Sequence, residues 1–411
     1  MTVWRAIFKN IPRTKHDYVY GALFRLFSNT TDSYPVKEEI ARTYDMLEYV
    51  FDLLIRPGTS TARTPVQFAL RSWENHSLIE SAEDVRRALN SVLRIKPPLT
   101  PDDLILFSNL ALLKGMSNIF NKFKDRLVRR HLAWLFVWAY GIMANPAAIL
   151  EVMHGDKTRA EQSRIRYCAA QVEANYKLLV AAMTIASYFP SEKRALIDEH
   201  LSGIVEMAIK KTSAASWLDN QTIGVAVKKL KNVRTLLWPT EKYLTVEGIE
   251  EAYANFSENA SSFAHLWIDA RRNIRNLFGS EAGVQEQRLR LSSAQPYIEY
   301  VPVLNVLALS LGALAPPLFY PDGTNAMMHG GLGYFYAREL VGAIDREGVK
   351  VDPLGHIVPS WLSEAVKPRF RQRDQGCLHY NSSVFPEVPA MEVAFAAFQQ
   401  HAENSDLQLT N

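Results

Sequence analysis

Apolar residues recur at three- and four-residue steps along most of the first 290 positions, the spacing that lays one apolar stripe along a helix. Helical periodicity covers 36–55, 103–124, 126–144, 160–188, 191–211, 218–231 and 246–278. Two start signals add to this, Ser81-Ala82-Glu83-Asp84 and Thr100-Pro101-Asp102-Asp103, where a hydroxyl can cap free backbone N–H groups and an acid three residues on can answer it. Past residue 290 the texture changes. β-prone residues and prolines fill 296–320, a glycine-rich turn MMHGGLG follows at 327–333, and GYFYARELVGAIDREG at 333–348 predicts a further amphipathic helix bounded by glycines. The expected domain break lies in the polar run at 285–295, giving a helical domain over 1–290 and a second domain over 291–411.

Two uncharged stretches, 131–150 and 301–320, reach membrane-spanning length. The first holds Asn145-Pro146 and continues a charged helix, so a buried core helix is expected; the second is broken by Pro302, Gly312 and Pro316-Pro317 and suits a strand and turn. No membrane span is expected in this chain. A length of 411 residues, 48% hydrophobic and 22% charged, allows large cores and excludes a disordered or fibrous chain. Net charge is only +3, the basic clusters at 122–130 and 367–373 read as solvated helix faces, and no nucleic-acid partner is expected. The two cysteines, Cys168 and Cys377, provide neither a disulfide framework nor a Cys-based metal site. Six Asn-x-Ser/Thr sequons (Asn29, Asn75, Asn220, Asn255, Asn259, Asn381) point to a secretory history, while the first residues, MTVWRAIFKNIPRTK, hold no sustained apolar run of the signal-peptide kind. Residues alone leave the compartment open, and the oligomeric state too.

Three motifs in order, YVPVLNVLALSLGALAPPLFY, HGGLGYFYAREL and GCLHYN, resemble the catalytic domain of the neprilysin and endothelin-converting-enzyme family of zinc endopeptidases. Pro302, Asn305, Gly312, Leu314, Pro316, Pro317 and Phe319 keep the spacing of the family's strand, and Gly330, Gly331, Leu332 and Gly333 keep its turn into the zinc helix. Upstream, RYCAAQVEANY, SWLDNQT and VAVKKLKNV resemble its helical domain. The resemblance runs from about 100 to 398 and implies a mainly α fold: a large helical domain, shortened at its start, followed by a shortened thermolysin-like (gluzincin) α+β domain. By resemblance the protein is extracellular or in the secretory pathway, and its cofactor would be zinc.

Zinc peptide hydrolysis needs two imidazoles at i and i+4 on one helix face, a carboxylate from a second helix, and a Glu to take the proton of the metal-bound water. At the two His positions this chain has Arg338, a permanent cation, and Gly342, which has no ligand atom. Ser383 falls at the third ligand and Glu387 at the neighbouring acid that would orient a His, while Glu339 keeps the general-base position. The family's Asn-Ala-Tyr-Tyr substrate strand corresponds to Tyr297-Ile298-Glu299-Tyr300, without the amide that would hold a peptide backbone. The distal Asp-x-His and Arg segment has no counterpart before Asn411, and the cysteines' family disulfide partners have none either, so both thiols are expected unpaired. No zinc cofactor is expected. A cation should replace the dication, and Arg338 is expected to bridge to Glu387 across the two helices through a bidentate pair.

No replacement site stands out. The ten His include no pair three or four apart; His329, His356 and His379 share the catalytic-like region, and no nucleophile elbow or phosphate loop is present. Three readings follow: a pseudopeptidase whose residual cleft binds a peptide or protein, a working zinc endopeptidase with a site completed from elsewhere, and an incomplete gene product. The missing ligands favour the first.

Overall fold

The computed structural model describes residues 13–27, 37–58, 65–77, 79–93, 96–107, 109–257, 259–289, 296–374 and 385–409. The chain is mainly α, as the apolar spacing predicts, and divides into two compact units, 1–168 with 258–268 and 169–257 with 269–411.

The first unit contains α1 (Arg13–Phe27), α2 (Lys37–Gly58), α3 (Ala82–Leu93), α4 (Leu110–Lys122), α5 (Asp125–Ala144), α6 (Pro146–His154) and the start of α7 (Lys157–Asn175). Leu23, Ile40, Trp134, Ile149 and Leu150 form its main core. Ser81 caps α3 as expected: its hydroxyl accepts from the Asp84 N–H at 3.1 Å. The Thr100–Asp103 signal does not start a helix. Its N–H and hydroxyl both donate to Asp103, closing a turn, and Leu104–Phe107 is strand β2, antiparallel to β1 (Val66–Ala69) with Phe68 opposite Ile105. Ile105 and Phe107 turn inward against Phe68 and Trp73, a period-two burial that prevails over the helical spacing read across 103–124. The helix begins later, where the Asn109 side chain accepts from the N–H groups of Ala111 and Leu112. Helix α5 is one-sided rather than wholly buried: Trp134, Ile142 and Met143 are in the core, while Phe136 is 64% exposed. Among the described residues no helix is long and apolar enough to cross a membrane.

The second unit contains the end of α7, α8 (Lys177–Tyr188), α9 (Ser191–Ser213), α10 (Asn220–Lys231), β3 (Arg234–Leu236), α11 (Val246–Tyr253), most of α12 (Phe263–Asn276) and α13 (Glu281–Arg288). β4 (Ile298–Val301), β5 (Val306–Leu309), a π-turn (His329–Gly333), α14 (Tyr334–Val341), α15 (Lys367–Asp374) and α16 (Glu387–Leu409) complete it. The long helix read over 160–188 breaks at Tyr176. There the buried Glu286 carboxylate accepts the Leu178 N–H, and Lys177 donates to the Glu286 carbonyl, so a tertiary contact sets the break. The stretch read over 246–278 is likewise two helices, separated by polar residues after Tyr253.

The sheet order is β3-β5-β4, with β3 parallel and β4 antiparallel to β5. All four residues of β5 are buried, as expected of a central strand covered on both faces. Leu201 and Ile204 of α9, Leu307, Leu332, Tyr336 and Ala394 share its core. Gly331 is obligatory: a Cβ there would lie 2.3 Å from the Leu318 carbonyl oxygen, which accepts the Leu332 N–H at 2.7 Å. Helices from 169–257 and strands from 296–309 thus share one core, so the compact units part at places other than the polar run at 285–295, of which 290–295 lie outside the described residues.

Candidate functional site

The π-turn delivers the chain into α14, which ends at Val341 rather than running on to 348. Gly342 is the helix cap, and the Ala343 N–H donates back to Leu340 O at 3.0 Å, tightening the last turn. Asp345 then accepts the N–H groups of Glu347 and Gly348, each at 2.8 Å, turning the chain away from the helix axis. Gly348 packs against Gly342 so closely that a Cβ on it would lie 2.3 Å from the Gly342 oxygen. Position 342 therefore closes the helix instead of sitting within it.

Arg338 and Glu387 meet, as expected. The guanidinium Nε and Nη2 donate to the same carboxylate oxygen of Glu387 at 3.2 and 3.1 Å, and Nη1 donates to Glu339 Oε1 at 2.8 Å. The expected bidentate pairing is thus a single-oxygen fork, because the third nitrogen is turned to Glu339. Glu339 is 8% exposed, and its other oxygen accepts the Tyr300 backbone N–H at 3.2 Å. Sequence neighbours on a helix do not normally face each other. Here the flexible Arg338 stem folds the cation back over a carboxylate already pinned by the sheet.

Of the expected substrate strand, Ile298, Glu299 and Tyr300 lie on β4 at the sheet edge, and Tyr297 precedes it, donating its N–H to Ser310 Oγ. Tyr300 is 2% exposed; its hydroxyl donates to Asn305 Oδ1 at 2.8 Å, and burial pushes its ionisation well above the usual phenol range. Asn305, at φ 48°, passes the chain on by donating to the Lys229 carbonyl. Two features here went unread in the sequence. Lys229 is fully buried and donates Nζ to the carbonyls of Gly348 and Val351, both at 2.6 Å, with burial lowering it to about 8. Tyr336 shares a 2.7 Å bond with Thr235, tying α14 to β3. Only the apolar patterning of VAVKKLKNV hinted that one of its lysines must point inward.

Two of the three histidines of the catalytic-like region lie among the described residues. His356 is exposed and pairs with Asp352 at 3.0 Å, whereas His329 lies against His200 and His401, with centroids 5.2 and 5.9 Å away. His379, Ser383 and Cys377 lie outside the described residues, and Cys168 is a free, half-buried thiol. Among the described residues no group of three or more His, Cys, Asp or Glu is placed to hold a metal ion. Beyond the Arg338 cluster, a cavity of about 870 Å³ is lined by Trp217, Val341, Trp361, Phe370, Phe385 and Glu392.

A family model described as Peptidase family M13 matches residues 71–237. Endothelin-converting enzyme-like 1 of Rattus norvegicus is 20% identical over 271 residues, covering 63% of this chain and 34% of that protein. Neprilysin of Mus musculus is 20% identical over 285 residues, covering 66% and 37%. The chain therefore spans little more than a third of the length of these relatives. Among solved structures, PepO from Lactobacillus rhamnosis HN001 aligns with a TM-score of 0.59 at 14% identity, covering 93% of this chain and 62% of that one. The Mycobacterium tuberculosis zinc metalloprotease Zmp1 in complex with an inhibitor aligns at 0.58 and 15% identity, covering 95% and 62%. The family model over 71–237 and the curated relatives, together with the shared fold, support a divergent member of the neprilysin and endothelin-converting-enzyme family of M13 peptidases.

Proposed function

We propose that this chain is a non-catalytic family member, a pseudopeptidase, in which an internal ion cluster stands where its relatives' resemblance would put zinc. One observation carries the reading: the Arg338 guanidinium is seated between Glu339 and Glu387. The resemblance assigns the first zinc imidazole to position 338, the second to 342 and the third ligand to 383. A dication needs neutral or anionic donors, and it is repelled by a guanidinium that cannot be deprotonated. Gly342 brings no donor atom and sits at the helix cap. The residues present therefore do not suit zinc. Glu339 is committed as well, one oxygen to Arg338 and the other to Tyr300, whereas a general base must offer a lone pair to water.

The remaining role is binding of a peptide or protein. The Tyr300 N–H is already taken by Glu339, so strand addition to β4 at that residue requires displacing a carboxylate, and side-chain contacts rather than ladder pairing would carry recognition. A secretory or extracellular setting, with glycosylation, completes the proposal; it is supported by the family and by the exposure of Asn75, Asn220, Asn255 and Asn259.

The test is elemental analysis of the purified protein together with a fluorogenic peptide assay with and without chelator, an active family peptidase serving as control. The expected outcome is zinc far below one per chain and no cleavage. Stoichiometric zinc with chelator-sensitive cleavage would overturn the proposal and favour the working zinc endopeptidase.

A further inference from the structure

Three imidazoles from three separate elements converge in the second unit. His200 on α9 is 8% exposed, His329 at the start of the π-turn is 4% exposed, and His401 lies on α16. Their ring centroids are 5.2 Å apart for His200 and His329, 4.7 Å for His200 and His401, and 5.9 Å for His329 and His401. The Phe398 ring closes one side, 5.9 Å from His329. Neighbouring histidines on a helix are no surprise; here the three come together only through packing, at the seam where α16 lies on α9 and on the turn.

We propose that His200, His329 and His401 form a proton-operated latch, which seats α16 on α9 and the π-turn while the rings are neutral and loosens it on acidification. Neutral rings pack like aromatic side chains, but two protonated rings side by side in a poorly hydrated seam repel each other. Glu199 on α9 acts on His200 but more weakly than burial and the two neighbouring rings; Asp198 is held by the Trp238 indole. The segment 325–333 has no ionisable side chain besides His329. On α14, Arg338 and Glu339 are engaged with Glu387 and Tyr300, and Tyr336 with Thr235. Glu392 of α16 lines the Trp217 cavity. Burial, then the adjacent imidazoles, takes His200 down to about 4, and burial also lowers His329, whose Nδ1 meets the Asn325 carbonyl at 2.8 Å. Geometry does not offer the trio to a metal in place of protons, since no such group is formed among the described residues.

Hydrogen exchange of the whole chain, compared at about pH 7.5 and about pH 5 after correction for intrinsic rates, reads the latch directly. Amides over Glu387–His401 should lose at least about tenfold more protection on acidification than those of α10, which carries none of the three histidines. His200→Phe, which keeps an aromatic ring in the seam, should remove most of that difference. Should the variant not fold, the imidazole Cε1–Hε1 resonances of the wild-type protein decide instead, with His200 and His329 expected to titrate below the ordinary histidine range. Equal pH response in α16 and α10, an unchanged response in His200→Phe, or ordinary titration of both rings would each overturn the latch.

Discussion

Arg338 on α14 and Glu387 on α16 are joined by two guanidinium nitrogens on one carboxylate oxygen, at 3.1 and 3.2 Å, while the third nitrogen holds Glu339. The two acids are not equal partners. Glu387 is about half exposed, where an ion pair is screened and contributes about 0–1 kcal/mol, whereas Glu339 is nearly buried, where losing a charged donor costs more.

That asymmetry sets the order of the variants. Arg338→Ala should lower stability by about 1–3 kcal/mol, chiefly by removing the guanidinium from nearly buried Glu339, and Glu387→Gln by less than about 1 kcal/mol. Equilibrium urea unfolding measures both, and an Arg338→Ala protein as stable as wild type would show that the cluster does not brace the helices.

Restoring imidazole at position 342 should fail structurally before it fails chemically. A Cβ on Gly342 would lie 2.9 Å from the Glu339 carbonyl oxygen, a rigid backbone atom. Gly342→His is expected to cost about 1–3 kcal/mol, and Arg338→His with Gly342→His should gain no chelator-sensitive cleavage. Thermal melts and the peptide assay test the two parts separately.

Acid should weaken the fold over a defined window. Burial takes His131 and His200 down to about 4 and lowers His16 and His329, so the folded chain binds fewer protons than the unfolded one below the free-histidine value of 6.5. Stability is therefore fully present above pH 6.5 and falls as pH drops from there towards about 4. His131, 3% exposed, has no hydrogen-bond partner on either ring nitrogen among the described residues, so His131→Leu should raise the melting temperature of the first unit and flatten its acid limb. Melting temperature measured from pH 8 to pH 4 would refute this if the variant and the wild type run parallel.

Lys229 should be the costliest single polar residue to remove. With no exposure and two carbonyls on its ammonium, Lys229→Met is expected to lose about 2–5 kcal/mol and to free the turn at Gly348–Lys350. Because burial holds its folded value near 8, below that of a free lysine, the wild type should gain stability as pH rises through 8 towards 10, a gain the variant lacks. Denaturant midpoints at pH 7.5 and pH 9.5 distinguish the two.

The sequence by itself determined the helical class, the order of motifs on which the family resemblance rests, and the residue types at positions 338 and 342, an arginine and a glycine, neither with a side-chain atom that donates to a metal. Side-chain identity alone decides whether an atom can donate to a metal, and the glycines of HGGLG and the apolar run of β5 leave the backbone few alternatives. It also foreshadowed the Arg338–Glu387 contact, because unbalanced carboxylates on two facing helices call for a cation. Tertiary structure decided the rest. Leu104–Phe107 became a strand because β1 was available to pair with it, and the helix at Tyr176 broke because Glu286, more than a hundred residues away, captured its backbone. Periodicity is blind to such partners, since it records which face a residue turns and not what lies opposite. For the same reason the burial of Lys229 went unread, and His200, His329 and His401, separated by up to 201 positions, became neighbours only when α9, the π-turn and α16 closed on one core.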